Sequence, residues 1–382
     1  MKRIVWGKAF RLPRLIGMVA WASLACPATH HAQSIVLPSF EENTLWACNI
    51  PPAATRLELG ITHSADTNVR PLLRKGTESR FEGRHPYYAG NRLEIMRLHW
   101  GKWELGYARG YADLFQGDQG AAQLFLETER GALNPNTAYG VQATLNRSAL
   151  QRWTLAYRDQ FELTPSTGDR RQEGVLRYRI TLSWLVLQRV QVGDLAGQKR
   201  GDQFEGTLNL TTTRGLPPDA VDGRGVALDV EGELVWHHLR MGVRVENLWS
   251  RLQIRRTQRI EARIRVNQPI PDAEGFLRAP PFLEGHIQTI RMERHAMPTL
   301  QGFISGSWAD REVALMGRYD FECVVGVGVK RGALWGIAWL NRPALQMGYT
   351  TPRWNLTLRL DGLDTTHLRH FGIAITIGLP LK

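Results

Sequence analysis

Long apolar runs are the main thing this 382-residue sequence lacks. Beyond residue 32 no stretch approaches the roughly 18 consecutive apolar residues a spanning helix needs, which excludes an inner-membrane helical bundle. Long amphipathic helices are nearly absent too. Cysteine is scarce, with only Cys26, Cys48 and Cys323. None has metal-ligand spacing to a histidine, and the adjacent pairs His30, His31 and His237, His238 lack the i, i+4 separation that would place both rings on one ion. No metal or other cofactor is therefore expected. Catalytic signatures are missing as well. Gly302, Ser305 and Gly306 have the wrong spacing for a nucleophile elbow, and Gly326 with Gly328 lies in a strand-like run rather than a phosphate loop. An outer-membrane hydrolase would need a Ser/His pair, and His63 with Ser64 is the obvious candidate. Adjacent strand residues point to opposite faces, so these two cannot serve one another, and no catalytic residue is assigned.

Acidic residues are outnumbered, 36 against 48 Lys and Arg, which gives a net charge of +12. Five of those bases, Lys2, Arg3, Lys8, Arg11 and Arg14, precede an apolar run from Leu15 to Ala25 followed by small residues. This is the layout of a secretory signal peptide over residues 1–32. Cleavage is expected after Ala25, Ala28 or Ala32, with a lipoprotein site at Cys26 as the variant. Removing the segment leaves the mature chain at +7. Export excludes nucleic acid as the partner of this basic surface and leaves lipopolysaccharide phosphates or anionic solutes. In an oxidising compartment Cys48 and Cys323 either pair or remain as two buried thiols.

What the sequence does have is alternation. Leu176, Tyr178, Ile180, Leu182 and Trp184 interleave with Arg177, Arg179, Thr181 and Ser183, and the pattern recurs with Met241, Val243, Val245 and with Ile260, Ala262, Ile264, Val266. Each of these is a strand with one greasy and one wet face. Similar segments lie near 54–65, 91–100, 103–113, 137–147, 151–163, 224–236, 299–309, 312–329, 333–341, 354–361 and 371–379. Segments of about 10 residues separated by turns match an antiparallel transmembrane β-barrel of roughly 14 strands, with 12 to 16 allowed. Gly101 with Lys102, and His237 with His238, read as two-residue hairpin turns. Long connections at 66–90, 114–136 and 164–173 alternate with tight ones at 101, near 149 and near 188, as short periplasmic turns and long external loops do. Beyond residue 195 the alternation blurs, and 196–223 is either one long loop holding a short hairpin or a slip in the count. Trp100, Trp103, Trp153, Trp236, Trp308 and Trp335 lie near strand ends, the placement of an interfacial aromatic girdle. A periplasmic sandwich or propeller also alternates, but needs no two-length connection pattern.

Three local marks refine this. Asn49, Ile50 and Pro51 precede the first strand. Gly225, Val226, Ala227, Leu228, Asp229 and Val230 are followed by a strand ending Val245, Glu246, Asn247 and Leu248. Phe371, Ile373, Ile375, Ile377 and Leu379 then alternate with Gly372, Ala374, Thr376 and Gly378 in a closing strand. In these features the chain resembles the broad group of FadL-type transporters and conjugal-transfer TraF-like barrels. The resemblance implies an outer-membrane location in a Gram-negative cell, with residues 33–53 as a short plug or periplasmic segment and 54–382 as the barrel. The chain departs from such barrels in ending Leu379, Pro380, Leu381, Lys382 instead of on an aromatic residue. No ligand-binding residue carries over.

If the wet faces line a lumen, Arg177, Arg179, Asp229, Glu231, Arg240, Arg244, Glu246, Glu261, Arg263 and Arg265 point into it. Either rings of Arg favour anions, or Arg and Glu pair across strands and fill a narrow interior; the interspersed acids favour pairing. The expected function is a channel or transporter for small or amphiphilic solutes. The alternative is a non-conducting barrel serving a pilus, secretion or conjugation assembly through a protein partner. The sequence does not reveal the oligomeric state.

Overall fold

The computed structural model describes residues 34–38, 55–67, 87–129, 133–163, 174–213, 223–266, 270–271, 277–278, 282–320, 323–341, 344–361 and 368–381. Residues 1–32, expected to be a signal peptide, Cys48 and the Asn49, Ile50, Pro51 cluster lie outside them. The strands are β1 Arg56–Thr67, β2 Tyr87–Trp100, β3 Trp103–Gly117, β4 Ala138–Leu163, β5 Gly174–Arg200, β6 Gln203–Thr212, β7 Gly223–Trp236 and β8 Leu239–Val266. They continue with β9 Phe282–Ala296, β10 Thr299–Trp308, β11 Arg311–Tyr319, β12 Cys323–Arg331, β13 Leu334–Trp339, β14 Ala344–Thr350, β15 Trp354–Leu360 and β16 His370–Pro380.

These sixteen segments make a closed antiparallel barrel of fourteen staves, because two staves are broken. β6 and β7 run in the same direction and share the groove between β5 and β8. β6 pairs with the far halves of those strands, and β7 with the near halves. β9 and β10 likewise form one stave along β8, interrupted at Met297 and Pro298. Closure comes from β16 against β1, His370 facing Asp66 and Pro380 facing Arg56, so no sheet edge is left in lipid.

Five two-residue turns gather at one end or cap long strands, and each begins with a positive φ: Gly101, Gly201 and Gly332 at 54°, 60° and 60°, His237 and Ala309 at 53° and 55°. Such turns match the right-handed twist of the flanking strands. The turns expected near 149 and 188 are not turns. β4 and β5 run straight through, and the pairing Ala149↔Arg189 followed by Leu150↔Leu187 marks a bulge. One extra residue flips the inside–outside phase, which in sequence looks like the end of a strand.

The outer face of the staves is apolar and open: Leu59, Ile61, Met96, Leu105, Ile180, Leu182, Leu315, Val327, Met347 and Leu356 are all exposed large side chains. A soluble protein would not present such a belt, whereas lipid favours it. Trp100, Trp103, Trp236 and Trp308 stand at the tight-turn border, and Trp153 with its cross-strand partner Trp184 at the other. Trp335 departs from the expected girdle. It is 5% exposed and faces inward beside Ile337 and Trp339, while Leu334 and Leu340 face lipid. β4, β5, β6, β8 and β9 continue past the upper Trp border as a free-standing wall. On its outer face the helix α1, Gln119–Glu129, packs against Val141, Ala143 and Phe204.

Candidate functional site: the barrel interior

Inward side chains divide the bore into regions of opposite chemistry. Toward the tight-turn end, β1 to β5, β7, β8, β16 and the turn between β14 and β15 enclose a cavity of about 1050 Å³ lined by nine Lys and Arg and seven acids. Their charges form a continuous ladder around the wall. Glu58 accepts from Arg56 at 2.8 Å and Arg97 at 3.2 Å, with the His99 ring at 3.3 Å. Arg97 reaches on to Glu104 at 3.6 Å, and Glu104 is bridged to Arg179, which lies 3.8 Å from Glu231. Glu231 then meets Arg244 at 2.8 Å. Arg179 can cross β4 to Glu104 because the intervening inward residue is Ala156, 1% exposed and too short to block it. A second ladder runs Arg177 to Glu233 at 3.1 Å, Arg240 to Glu233, and Arg240 to Glu312 at 2.9 Å. Arg152 bonds Asp229.

Cross-strand pairing therefore offsets the desolvation of these groups without filling the bore. Of the ten residues expected on the luminal face, Arg177, Arg179, Asp229, Glu231, Arg244 and Glu246 line this cavity, and Arg240 stands in the adjoining ladder. Glu261, Arg263 and Arg265 lie on the inner face of the tall wall, where their side chains are open to solvent. There Arg265 pairs with Glu205 at 3.0 Å and Glu261 with Arg259 at 2.6 Å.

Outward along the bore from the charged cavity the lining turns greasy. Leu150, Leu185, Leu187, Val190, Ala227, Leu252, Ile254, Met292 and Ala296 form one buried cluster, and Ile35 and Leu37 sit in its middle. Residues 34–38 thus cross the interior. Ser34 and Ile35 pair in parallel with His295 and Ala296 on one wall, and the Met297 amide donates to the Ile35 carbonyl at 2.8 Å. On the other wall the Val36 amide donates to Asn146 Oδ1 at 3.0 Å, Asn146 Nδ2 donates to the Ser34 carbonyl at 2.6 Å, and the Ser148 hydroxyl donates to the Val36 carbonyl. The β9–β10 break makes this possible. At Met297 the stave leaves β8, which answers with a bulge at Asn247 (φ 56°), and the freed backbone is taken by the crossing segment.

The bore beside β10 to β14 is packed by Phe303, Met316, Trp335, Ile337 and Trp339. A Cβ on Gly348 would stand 2.2 Å from the Trp335 ring, so glycine there is what lets the indole lie flat on the wall. Sequence reasoning missed Asn146, Ser148 and this aromatic packing. A short polar residue on a strand's wet face gives no sign that it grips another segment.

His63 and Ser64 face opposite sides of β1: Ser64 is buried in the bore and His63 stands edge-on to Phe371 on the outside. Cys323 is an exposed thiol. Among the described residues no cluster of His, Cys, Asp and Glu could hold a metal ion.

No family model and no curated protein matches the chain. Among solved structures its fold is similar to the deltaS2S3 mutant of the monoaromatic hydrocarbon channel TodX, at 11% identity over 86% of this chain and 90% of that one, with a TM-score of 0.41. It is also similar to the P. putida toluene transporter TodX, at 10% identity, 86% and 90% coverage and a TM-score of 0.38. A third is the Ralstonia pickettii toluene transporter TbuX, at 10% identity, 91% and 95% coverage and a TM-score of 0.22.

Proposed function

We propose that this barrel sits in the outer membrane of a Gram-negative cell and passes small apolar or amphiphilic solutes, with residues 34–38 acting as a movable stopper. The observation that carries the reading is the junction between the charged cavity and the greasy collar around Ile35 and Leu37. A hydrated ion leaving the cavity would have to shed water against Leu150, Leu187, Leu252 and Ile254, which offer it no polar group. A solute with an apolar body loses nothing there, and its polar end can remain with the Arg/Glu ladder.

The stopper is a segment held by a few hydrogen bonds, so moving it opens the collar without unfolding the wall. Planar-bilayer recording on the refolded chain is expected to show little ion conductance, with a large rise on deleting residues 34–38. Proteoliposomes are expected to take up a hydrophobic fluorophore faster than empty vesicles. Uptake equal to that of empty vesicles with and without the segment would reject the reading. The second reading, a sealed barrel serving an envelope assembly, draws on the aromatic packing beside β10 to β14. It expects neither conductance nor uptake, and co-purification of a protein partner.

A further inference from the structure

Just beyond the upper tryptophan border, the outside of the wall is strongly basic. At the β5 bulge Gln188 and Arg189 lie between Leu187 and Val190, both buried in the bore, so both are turned outward. At the β8 bulge Arg255 and Arg256 lie between buried Ile254 and buried Thr257 and are likewise exposed. Arg224, Arg251 and Arg291 alternate with Gly223, Leu252 and Met292, which face inward. Six arginines on β5, β7, β8 and β9 thus share one outer face, with Glu293 as the single acid among the described residues there.

Glu293 is already engaged, bonded to Arg251 at 2.6 Å, and that bond, with Arg291 and His295 nearby, holds its carboxyl below the usual range. Immediately beneath, toward the membrane, Trp184, Leu248 and Trp249 are exposed at the top of the apolar belt. Indole rings sit at the headgroup boundary, so these guanidiniums stand at headgroup depth.

We propose that this face binds a phosphorylated lipid of the surrounding leaflet, one carrying two phosphates on its headgroup. Guanidinium forks bind phosphate bidentately, and a cationic patch bordering apolar surface is suited to an anionic headgroup whose tails lie on the belt below. The four strands span roughly 15 Å at about 4.8 Å per strand, wider than one phosphate needs. Wall defects also expose part of this patch: without the two bulges, strict alternation from Leu187 and Ile254 would send Arg189 and Arg256 into the greasy collar. The inference stands whether or not the barrel conducts.

The test uses the full refolded chain in detergent, with bis-phosphorylated lipid A, its monophosphorylated form and phosphatidylcholine as probes. Wild type is expected to bind the three in falling order, with salt weakening the first most. The triple variant Arg189→Gln, Arg256→Gln, Arg291→Gln is expected to lose about tenfold or more in affinity for the bis-phosphorylated lipid. A control triple, Arg200→Gln, Arg311→Gln, Arg331→Gln, removes equal charge elsewhere and is expected to bind as wild type. Heat-modifiable migration on gels reports that both triples are folded. Equal binding by the patch variant and wild type would overturn the proposal. So would full competition by millimolar inorganic phosphate, which would make the site one for free anion.

Discussion

Loosening the stopper while leaving the wall intact is the sharpest perturbation the fold allows. Asn146 and Ser148 make three hydrogen bonds to residues 34–36 and are nearly inaccessible to water. Replacing both with alanine removes about 1 kcal/mol per bond, roughly 3 kcal/mol in all, before counting backbone groups left unsatisfied in a dry site. At about 1.4 kcal/mol per factor of ten, the ratio of seated to unseated segment falls by about 100-fold. The strand itself keeps its ladder, because only side chains are cut. Single-channel recording should show open events about 100 times more frequent in Asn146→Ala, Ser148→Ala than in wild type, at the same unitary conductance as the chain lacking 34–38. Unchanged open frequency in the double variant, alongside a conducting deletion, would mean that these bonds do not seat the segment. A deletion as silent as wild type would refute the stopper altogether.

Other outcomes follow from single sites. Gly348→Ala should push Trp335 off the wall and cost about 1–3 kcal/mol, read as a lower urea midpoint for unfolding from vesicles. Leu315→Arg places a guanidinium in mid-belt and should cost about 2–4 kcal/mol in the same assay. Glu127 on α1 is pushed up by burial, but the Asn134 amide, Gln123 and Lys199, the last at 3.3 Å, hold it below its ordinary 4.5. Because the folded value is the lower one, docking of α1 is fully supported above pH 4.5 and lost as pH falls through that depressed value. Proteolysis near α1 should therefore rise in acid for wild type, and Glu127→Gln should flatten that dependence.

Much of the barrel was legible because lipid and water impose opposite demands on alternate residues. Leu176 to Trp184 and Phe371 to Leu379 show the pattern, and both lie in strands that face as it requires. Legibility failed where that contrast vanished. From Leu334 to Leu340 both faces are apolar, so nothing in the sequence says that Trp335 turns inward instead of joining the girdle. It failed again at the bulges. The extra residue of the β4–β5 bulge lies on β5, while on β4 the adjacent apolar Ala149 and Leu150 interrupt the pattern and make it read as two strands, and the break in the stave formed by β6 and β7 blurred the count after residue 195. The stave number came out right while its membership did not, since splits in β4 and β8 offset the unread β14 and the reading of β11 and β12 as one segment, 312–329. The luminal charges could be placed by parity, but their pairing into ladders depends on register between distant strands, which no local pattern encodes.

The tall half of the wall has one more consequence. Within the membrane the sheet closes on itself, but the part that rises beyond it is an open screen with two upright margins. Along β4 the margin is shielded by the start of α1, where the Asp118 amide caps the Gln142 carbonyl. Along β9 it is bare for most of its length among the described residues, a row of backbone donors and acceptors to which any extended peptide could add. Glu284, His286, Arg291 and Glu293 project along that margin, and the kink between Ile290 and Met292 bends it. A margin that is kinked and studded with charged side chains makes a poor template for flat strand-to-strand addition, so this screen can stand in water without stitching its neighbours into fibres.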